Sequence, residues 1–208
     1  MKAKVNTAAL ALFAVVATVI AHQLNAHPTV EKYVTEGEIE ATHYVGKLGF
    51  SCGVEAWSVK TMADSAASQV NLTPQPTNIP HLVALPTSPG QRTSPPQVYQ
   101  LRGTRLVAYK LEGDSDIHLV LRSTIAPNPT MIAEIPDPAC AQSSTQLAAI
   151  TQARADFVAQ VGQPQTSFVN GSWSVTLSGV GFGDFQHGQT GVAPNAVELH
   201  PVLAFHRN

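Results

Sequence analysis

Seven side chains in the second half of this chain have the types that bind metals or move protons: Asp116, His118, Glu134, Asp184, His187, Glu198 and His200. Two of them, Asp116 and His118, are two residues apart, and Glu198 and His200 repeat that spacing. In an extended strand residues two apart point to the same face, so each pair presents a carboxylate beside an imidazole. If both pairs converge with Glu134, they form a ligand set for zinc, manganese or a similar divalent ion. Asp116, His118, Glu198 and His200 are the candidate metal ligands. His118, Glu134 and His200 are the candidate catalytic groups, because an ion with an open coordination position activates water for hydrolysis. The same residues also admit a structural reading, in which a strand histidine beside an acid is a cross-strand hydrogen-bonded pair. In that reading Asp116 caps its own turn and Glu198 pairs with Lys110 or Arg105.

A second candidate site is the segment from His187 to Asn195, which joins two expected strands and is long for a hairpin. Its His187, Gln189, Thr190 and Asn195 offer mostly neutral donors and acceptors, which suit a small polar ligand better than a phosphate. The alternative is that its glycines and proline only shape the turn. No nucleophile-elbow, phosphate-loop or dinucleotide sequence is present.

The elements that must position these groups are legible from periodicity. Strands are expected over 97–112, with 117–122 and 130–136 following, separated by the turn clusters 113–116 and 126–129. Leu147, Ile150, Ala153, Arg154, Phe157 and Val161 recur at helical spacing, with Ser143, Ser144 or Thr145 as cap and Gly162 and Pro164 as stop. Further strands are expected over 173–182, where Gly179, Gly181 and Gly183 permit bending, and over 196–205. Three strands, a helix and two strands is the order of a five-stranded OB-like barrel, a mostly β fold. An open antiparallel sheet packed on the helix (α+β) is the rival.

Upstream, the prolines crowd. Seven of the 15 fall in residues 71–97, which reads as an extended connector. Residues 27–70 form a segment of undetermined structure, in which Trp57–Thr61 looks like a short extended piece. The domain proper is then 98–208.

Lys2 and Lys4 followed by an apolar run from Ala8 to Ala21 form the pattern of a secretory signal, with cleavage expected near Ala26. An uncleaved anchor is the alternative. In an oxidising compartment Cys52 and Cys140 suggest one disulfide, against two free thiols. The chain has 12 basic and 14 acidic residues, and loss of the two leader lysines leaves 10 against 14. That balance, without a basic cluster, disfavours a nucleic-acid backbone as partner. A small polar ligand or an envelope component fits it better.

Three segments carry a resemblance: YKLEGDSDIHLVL (109–121), MIAEIPDPAC (131–140) and GFGDFQHGQTGVAPNAVELHPVL (181–203), with WSVKT (57–61) similar too. They resemble a family of uncharacterised secreted bacterial proteins marked by the HGQTGxAPNxxELHPVL motif. The strand–turn–strand block also looks like OB-fold proteins at the level of fold, including secreted nucleases and periplasmic binding modules. The resemblance implies secretion and an OB-like fold, and fixes no activity. Two functions follow as expectations. One is a secreted or periplasmic module binding a small polar ligand, glycan or envelope protein. The other is a metal-dependent hydrolase acting on phosphodiesters.

Overall fold

The structure is a computed structural model that describes residues 51–208. The expected signal segment, 1–26, and residues 27–50 lie outside the described residues.

The described chain is mostly β. Seven strands form one mixed sheet: β1 (Asn71–Thr77), β2 (Gln91–Arg92), β3 (Gln97–Leu111), β4 (Ile117–Ser123), β5 (Thr130–Ile135), β6 (Val169–Gly183) and β7 (Val197–Arg207). Their order is β1–β3–β4–β5–β7–β6–β2, and β3 additionally pairs with β6. All pairings are antiparallel except β1 with β3 and β5 with β7. Three α-helices accompany them among the described residues: single turns α1 (Trp57–Lys60) and α2 (Ile79–Leu82), and the longer α3 (Leu147–Gln160) between β5 and β6.

The five long strands and α3 fall where hydrophobic periodicity places them. The seven-strand total exceeds the expected five because the proline-rich stretch 71–97 is more than a connector. It pairs β1 along β3 and β2 along β6, and α2 between them buries Ile79 and Leu82. Asn78 caps α2 by accepting the His81 N–H at 2.9 Å, and Pro80 sits in its first turn, where a missing N–H costs nothing. Residues 57–60, expected as extended, form the helical turn α1, closed by the Thr61 N–H to the Trp57 carbonyl at 2.9 Å.

The main core gathers one side of each of the five long strands. Ile117, Leu119 and Leu121 of β4, Met131, Ala133 and Ile135 of β5, and Val197 and Leu199 of β7 pack with Phe157 of α3. The Phe157 ring meets Tyr109 and Phe205 edge-on, with centroids 5.0 and 5.3 Å away. Strand alternation then sends His118, Glu134, Glu198 and His200 to the opposite face.

The β6 glycines serve close approach. A Cβ on Gly181 would lie 2.6 Å from the Tyr99 ring and 2.7 Å from Thr93 Oγ1, so its place is fixed by the strand and segment pressed against it. The ladder between β6 and β7 shifts register on both sides of Gly179.

Cys52 and Cys140 form a disulfide with Cα atoms 5.4 Å apart. It ties the segment before α1 to the turn after β5. Trp57 Nε1 donates to the Cys140 carbonyl at 3.1 Å, and Ser115 Oγ donates to the Ser51 carbonyl at 2.8 Å. Among the described residues no helix is long and apolar enough to cross a membrane.

Candidate metal centre

Three adjacent strands bring the expected residues together. In the β4–β5 ladder His118 stands opposite Glu134, and in the β5–β7 ladder Ala133 stands opposite Leu199, next to His200. Glu134 therefore lies between two imidazoles. Its Oε1 is 3.2 Å from His118 Nδ1, and its Oε2 is 3.1 Å from His200 Nδ1. The two Asp–x–His and Glu–x–His pairs, whose convergence the sequence left open, meet through this one carboxylate.

Glu112 completes the His118 side, with Oε1 3.0 Å from His118 Nδ1 and 3.2 Å from Lys110 Nζ. On the far edge of the ring, His118 Nε2 is 3.0 Å from the Thr190 carbonyl. A carbonyl only accepts, so Nε2 carries the proton and donates. Nδ1 is thus the nitrogen that faces Glu112 and Glu134. His200 instead has carboxylates at both nitrogens. Its Nδ1 lies 3.2 Å from Glu198 Oε1, while Nε2 lies 3.3 Å from Asp116 Oδ2. Nε2 and Asp116 Oδ2 are both buried and neither is aligned in a hydrogen bond, although they are within ion-pair distance.

Four of the side chains that meet here alternate along one stretch: Glu112, Asp114, Asp116 and His118. Glu112 and Asp114 were outside the sequence-based set, and this every-second-residue run of acids ending in histidine is the signal that marks them. The turn is built by its own backbone, with the Glu112 N–H bonded to the Asp116 carbonyl at 2.9 Å. Asp114, and not Asp116, caps it, its Oδ1 accepting the Asp116 N–H at 3.1 Å. Asp116 Oδ1 instead accepts the Asp137 N–H at 3.2 Å, which fixes the carboxylate and aims Oδ2 at His200. Arg154 of α3 braces the same region by donating to the Ser115 and Ile135 carbonyls at 2.9 and 3.0 Å.

Lys60 was also outside the sequence-based set, and nothing local in the sequence marks it. It comes from α1, is 1% exposed, and places Nζ 3.2 Å from Asp184 Oδ1.

The cluster is sealed: His118 and Asp116 are 0% exposed, His200 1%, Glu198 2% and Glu134 4%. Burying acids side by side perturbs Asp114, Asp116, Glu134, Asp184 and Glu198. Burial, followed by the charges of Asp184 and Glu134, pushes the Glu198 pKa up to about 8. Burial also raises Asp114 well above the usual carboxylate range, reinforced by Asp116, Glu134 and Glu112. Asp116 and Asp184 are raised by burial despite the opposing pull of His200 and Lys60. Burial would raise Glu134 too, but the adjoining imidazoles of His118 and His200 outweigh it and hold the carboxylate well below its usual range. Burial disfavours the imidazolium of His118, yet Glu112 and Glu134 overcome it and raise that pKa well above the ordinary value. His200 is raised likewise, burial being outweighed by Asp116, Glu134 and Glu198.

Two groups have the composition and spacing of metal sites. Glu112, His118 and Glu134 each offer a ligand atom, mutually within 4.8 Å, and so do Asp116, Glu134 and His200. Glu198 stands behind His200 as its hydrogen-bond partner. In the first group the ring nitrogen away from the site meets the Thr190 carbonyl, and in the second His200 Nδ1 also meets Glu198, contacts of the kind that orient metal-bound histidines.

The 187–195 segment is placed otherwise. Gln189 Nε2 donates to the Phe185 carbonyl at 3.0 Å, and Asn195 Nδ2 donates to the Leu82 and Leu85 carbonyls at 3.0 and 2.9 Å. His187 Nε2 lies 3.1 Å from Glu55 Oε2. Thr190 contributes its carbonyl to His118. These polar groups are engaged within the chain, and the loop packs as a support for the cluster.

Compared with protein-family descriptions, curated proteins and solved structures, the chain has no match in any of the three.

Proposed function

We propose that this chain is an exported OB-like binding module whose ligand is a divalent cation, held by Glu112, His118 and Glu134. The observation that carries the reading is the orientation of His118. Its Nε2 donates to the Thr190 carbonyl, which leaves Nδ1 facing two carboxylate oxygens at 3.0 and 3.2 Å. One imidazole nitrogen and two carboxylates suit zinc, manganese or ferrous iron better than copper(I), which prefers sulfur. Export rests on the leader pattern of residues 1–26 and agrees with the disulfide. The barrel reading is supported by the sequence of pairings β3–β4–β5–β7–β6 and by the further pairing of β6 with β3.

A cation suits this geometry better than a glycan or a small polar ligand, because Gln189 and Asn195 spend their amides on backbone carbonyls. An envelope protein as partner and the resemblance to secreted bacterial proteins remain compatible with a cation-holding role. Metal-dependent hydrolysis, on phosphodiesters among other esters, is the second reading, favoured by the meeting of His118, Glu134 and His200. It requires a coordination position open to substrate. The near-complete burial of the ligands favours a held ion over one that turns over substrate.

The test is metal analysis and titration calorimetry of the purified mature protein with zinc and manganese. Stoichiometric binding that disappears in His118→Ala supports the reading. A protein that takes up neither ion ends it. Hydrolysis of an activated phosphodiester by the loaded protein, lost in Glu134→Gln, would move the second reading ahead.

A further inference from the structure

We infer that the centre holds two divalent cations, with Glu134 as the carboxylate bridging them. The inference rests on the cation reading just given and extends it to a second site formed by Asp116, Glu134 and His200. Three observations point there.

The first is the division of Glu134. Its Oε1 faces His118, while Oε2 is buried on the His200 side and is not aligned in a hydrogen bond. One carboxylate whose two oxygens serve two different imidazoles has the shape of a bridge between ions. The second is the state of His200. Its Nδ1 lies 3.1 Å from Glu134 Oε2 and 3.2 Å from Glu198 Oε1, and in the tautomer protonated there Nε2 is a buried lone pair beside the equally unaligned Oδ2 of Asp116, 3.3 Å away. Buried polar atoms are nearly always satisfied, and a pair left facing one another asks for a group between them. A cation ligated by both supplies it.

The third is charge. Among the described residues the cluster buries six carboxylates. The ammonium groups of Lys60 and Lys110 stand against them at Asp184 and Glu112. With every acid ionised and both imidazoles neutral, four negative charges are left over, an excess that the metal-free chain meets by holding protons on its raised acids and imidazoles. One divalent ion with neutral imidazoles halves that excess, and two remove it. Uncompensated charge in a dry site is the costliest arrangement available to a protein. The two-ion state is therefore the one that neutralises this cluster without loading it with protons.

The experiment uses the mature, disulfide-intact protein, stripped of metal and titrated with manganese. Uptake is read by elemental analysis and the spin state by electron paramagnetic resonance. The expected result is two equivalents with the spectrum of an exchange-coupled pair. Asp116→Asn should reduce uptake to one equivalent and abolish the coupling. If that variant does not fold, the wild-type spectrum alone decides. One equivalent, uncoupled and unaffected by Asp116→Asn, overturns the second ion and leaves the His118 site standing. Two equivalents without coupling overturn the bridge. No uptake overturns both the inference and the reading beneath it.

Discussion

Glu134 reaches His118 with one carboxylate oxygen and His200 with the other, at 3.2 and 3.1 Å. These histidines belong to β4 and β7, which do not pair with each other. The strand between them, β5, pairs antiparallel on one side and parallel on the other. A single residue in the middle strand therefore joins both halves of the cluster.

Replacing that residue should be felt by the whole centre. In Glu134→Gln both histidines lose a shared anion while the other acids remain buried. Breaking one member of a buried charge network costs about 3–5 kcal/mol. Urea denaturation of the metal-free variant should show a lowered midpoint of that order with an unchanged slope. Glu55→Gln is the contrast, because Glu55 is only partly buried and meets His187 at the margin of the cluster. It should change stability by less than about 1 kcal/mol.

Much of this was legible in the chain. The period-two pattern Ile117, Leu119, Leu121 assigns His118 to the face opposite the core, and the structure keeps that assignment. The same logic places Glu198 and His200 together. The helix over Leu147–Gln160 was legible for the same reason, though its side-chain cap was not: Gln146 precedes it without a capping bond. What periodicity does not carry is which strands become neighbours. The meeting of β4 and β7 across Glu134 depends on that topology. Lys60 was hidden for a further reason. Its partner Asp184 is more than a hundred residues away, and a lysine near Trp57 reads locally as a solvated charge. The strands within residues 71–97 were masked by prolines, which β1 tolerates because it lies at an end of the sheet order.

The disulfide holds the segment carrying Trp57 and Lys60 against the cluster. It closes a loop with a sequence separation of 88 residues. On chain-entropy grounds a loop of that size is worth about 4–5 kcal/mol. The Cys52→Ser, Cys140→Ser double variant should melt about 10 °C or more below the parent, following the usual relation for a domain of this size. It should also bind metal more weakly, because the covering segment is no longer fastened. A melting temperature within 2 °C of the parent would show that the segment is held without the bond.

Gly191 links the loop to the metal site. Its φ is +91°, and a Cβ there would sit 2.6 Å from Val120 Cγ1. Gly191→Ala thus combines an unfavourable backbone conformation with a clash against β4. Both effects push the loop outward and draw the adjacent Thr190 carbonyl away from His118. The expected outcome is a loss of about 1–3 kcal/mol in stability and weaker zinc binding. Gly188→Ala is the control. It shares a positive φ, +81°, but nothing lies within 4 Å of its added Cβ. It should bear the backbone cost alone and leave zinc affinity unchanged.

The metal-free protein should become less stable as the pH rises from about 4.5 to about 8. Glu198 has its folded pKa raised to about 8 from 4.5, so across that interval the folded chain holds a proton that the unfolded chain has released. Stability then falls with pH, by up to about 1.4 kcal/mol per pH unit for each such proton. Asp114, Asp116 and Asp184, also raised, act in the same direction. His118 and His200 add to the loss further up, as the pH rises above the unfolded imidazole value toward their raised folded pKa values. Glu134 and Asp64 have the opposite sign. Their folded pKa values are depressed, so their contribution is present above the ordinary carboxylate range and is lost only in acid. Bound divalent cations displace the stored protons, which should flatten the fall and make binding tighter at higher pH. Thermal melts of the stripped protein at pH 5, 6, 7 and 8, with and without zinc, would check this. Melting temperatures that rise steadily across that range in the stripped protein would mean that the buried acids are already ionised and balanced.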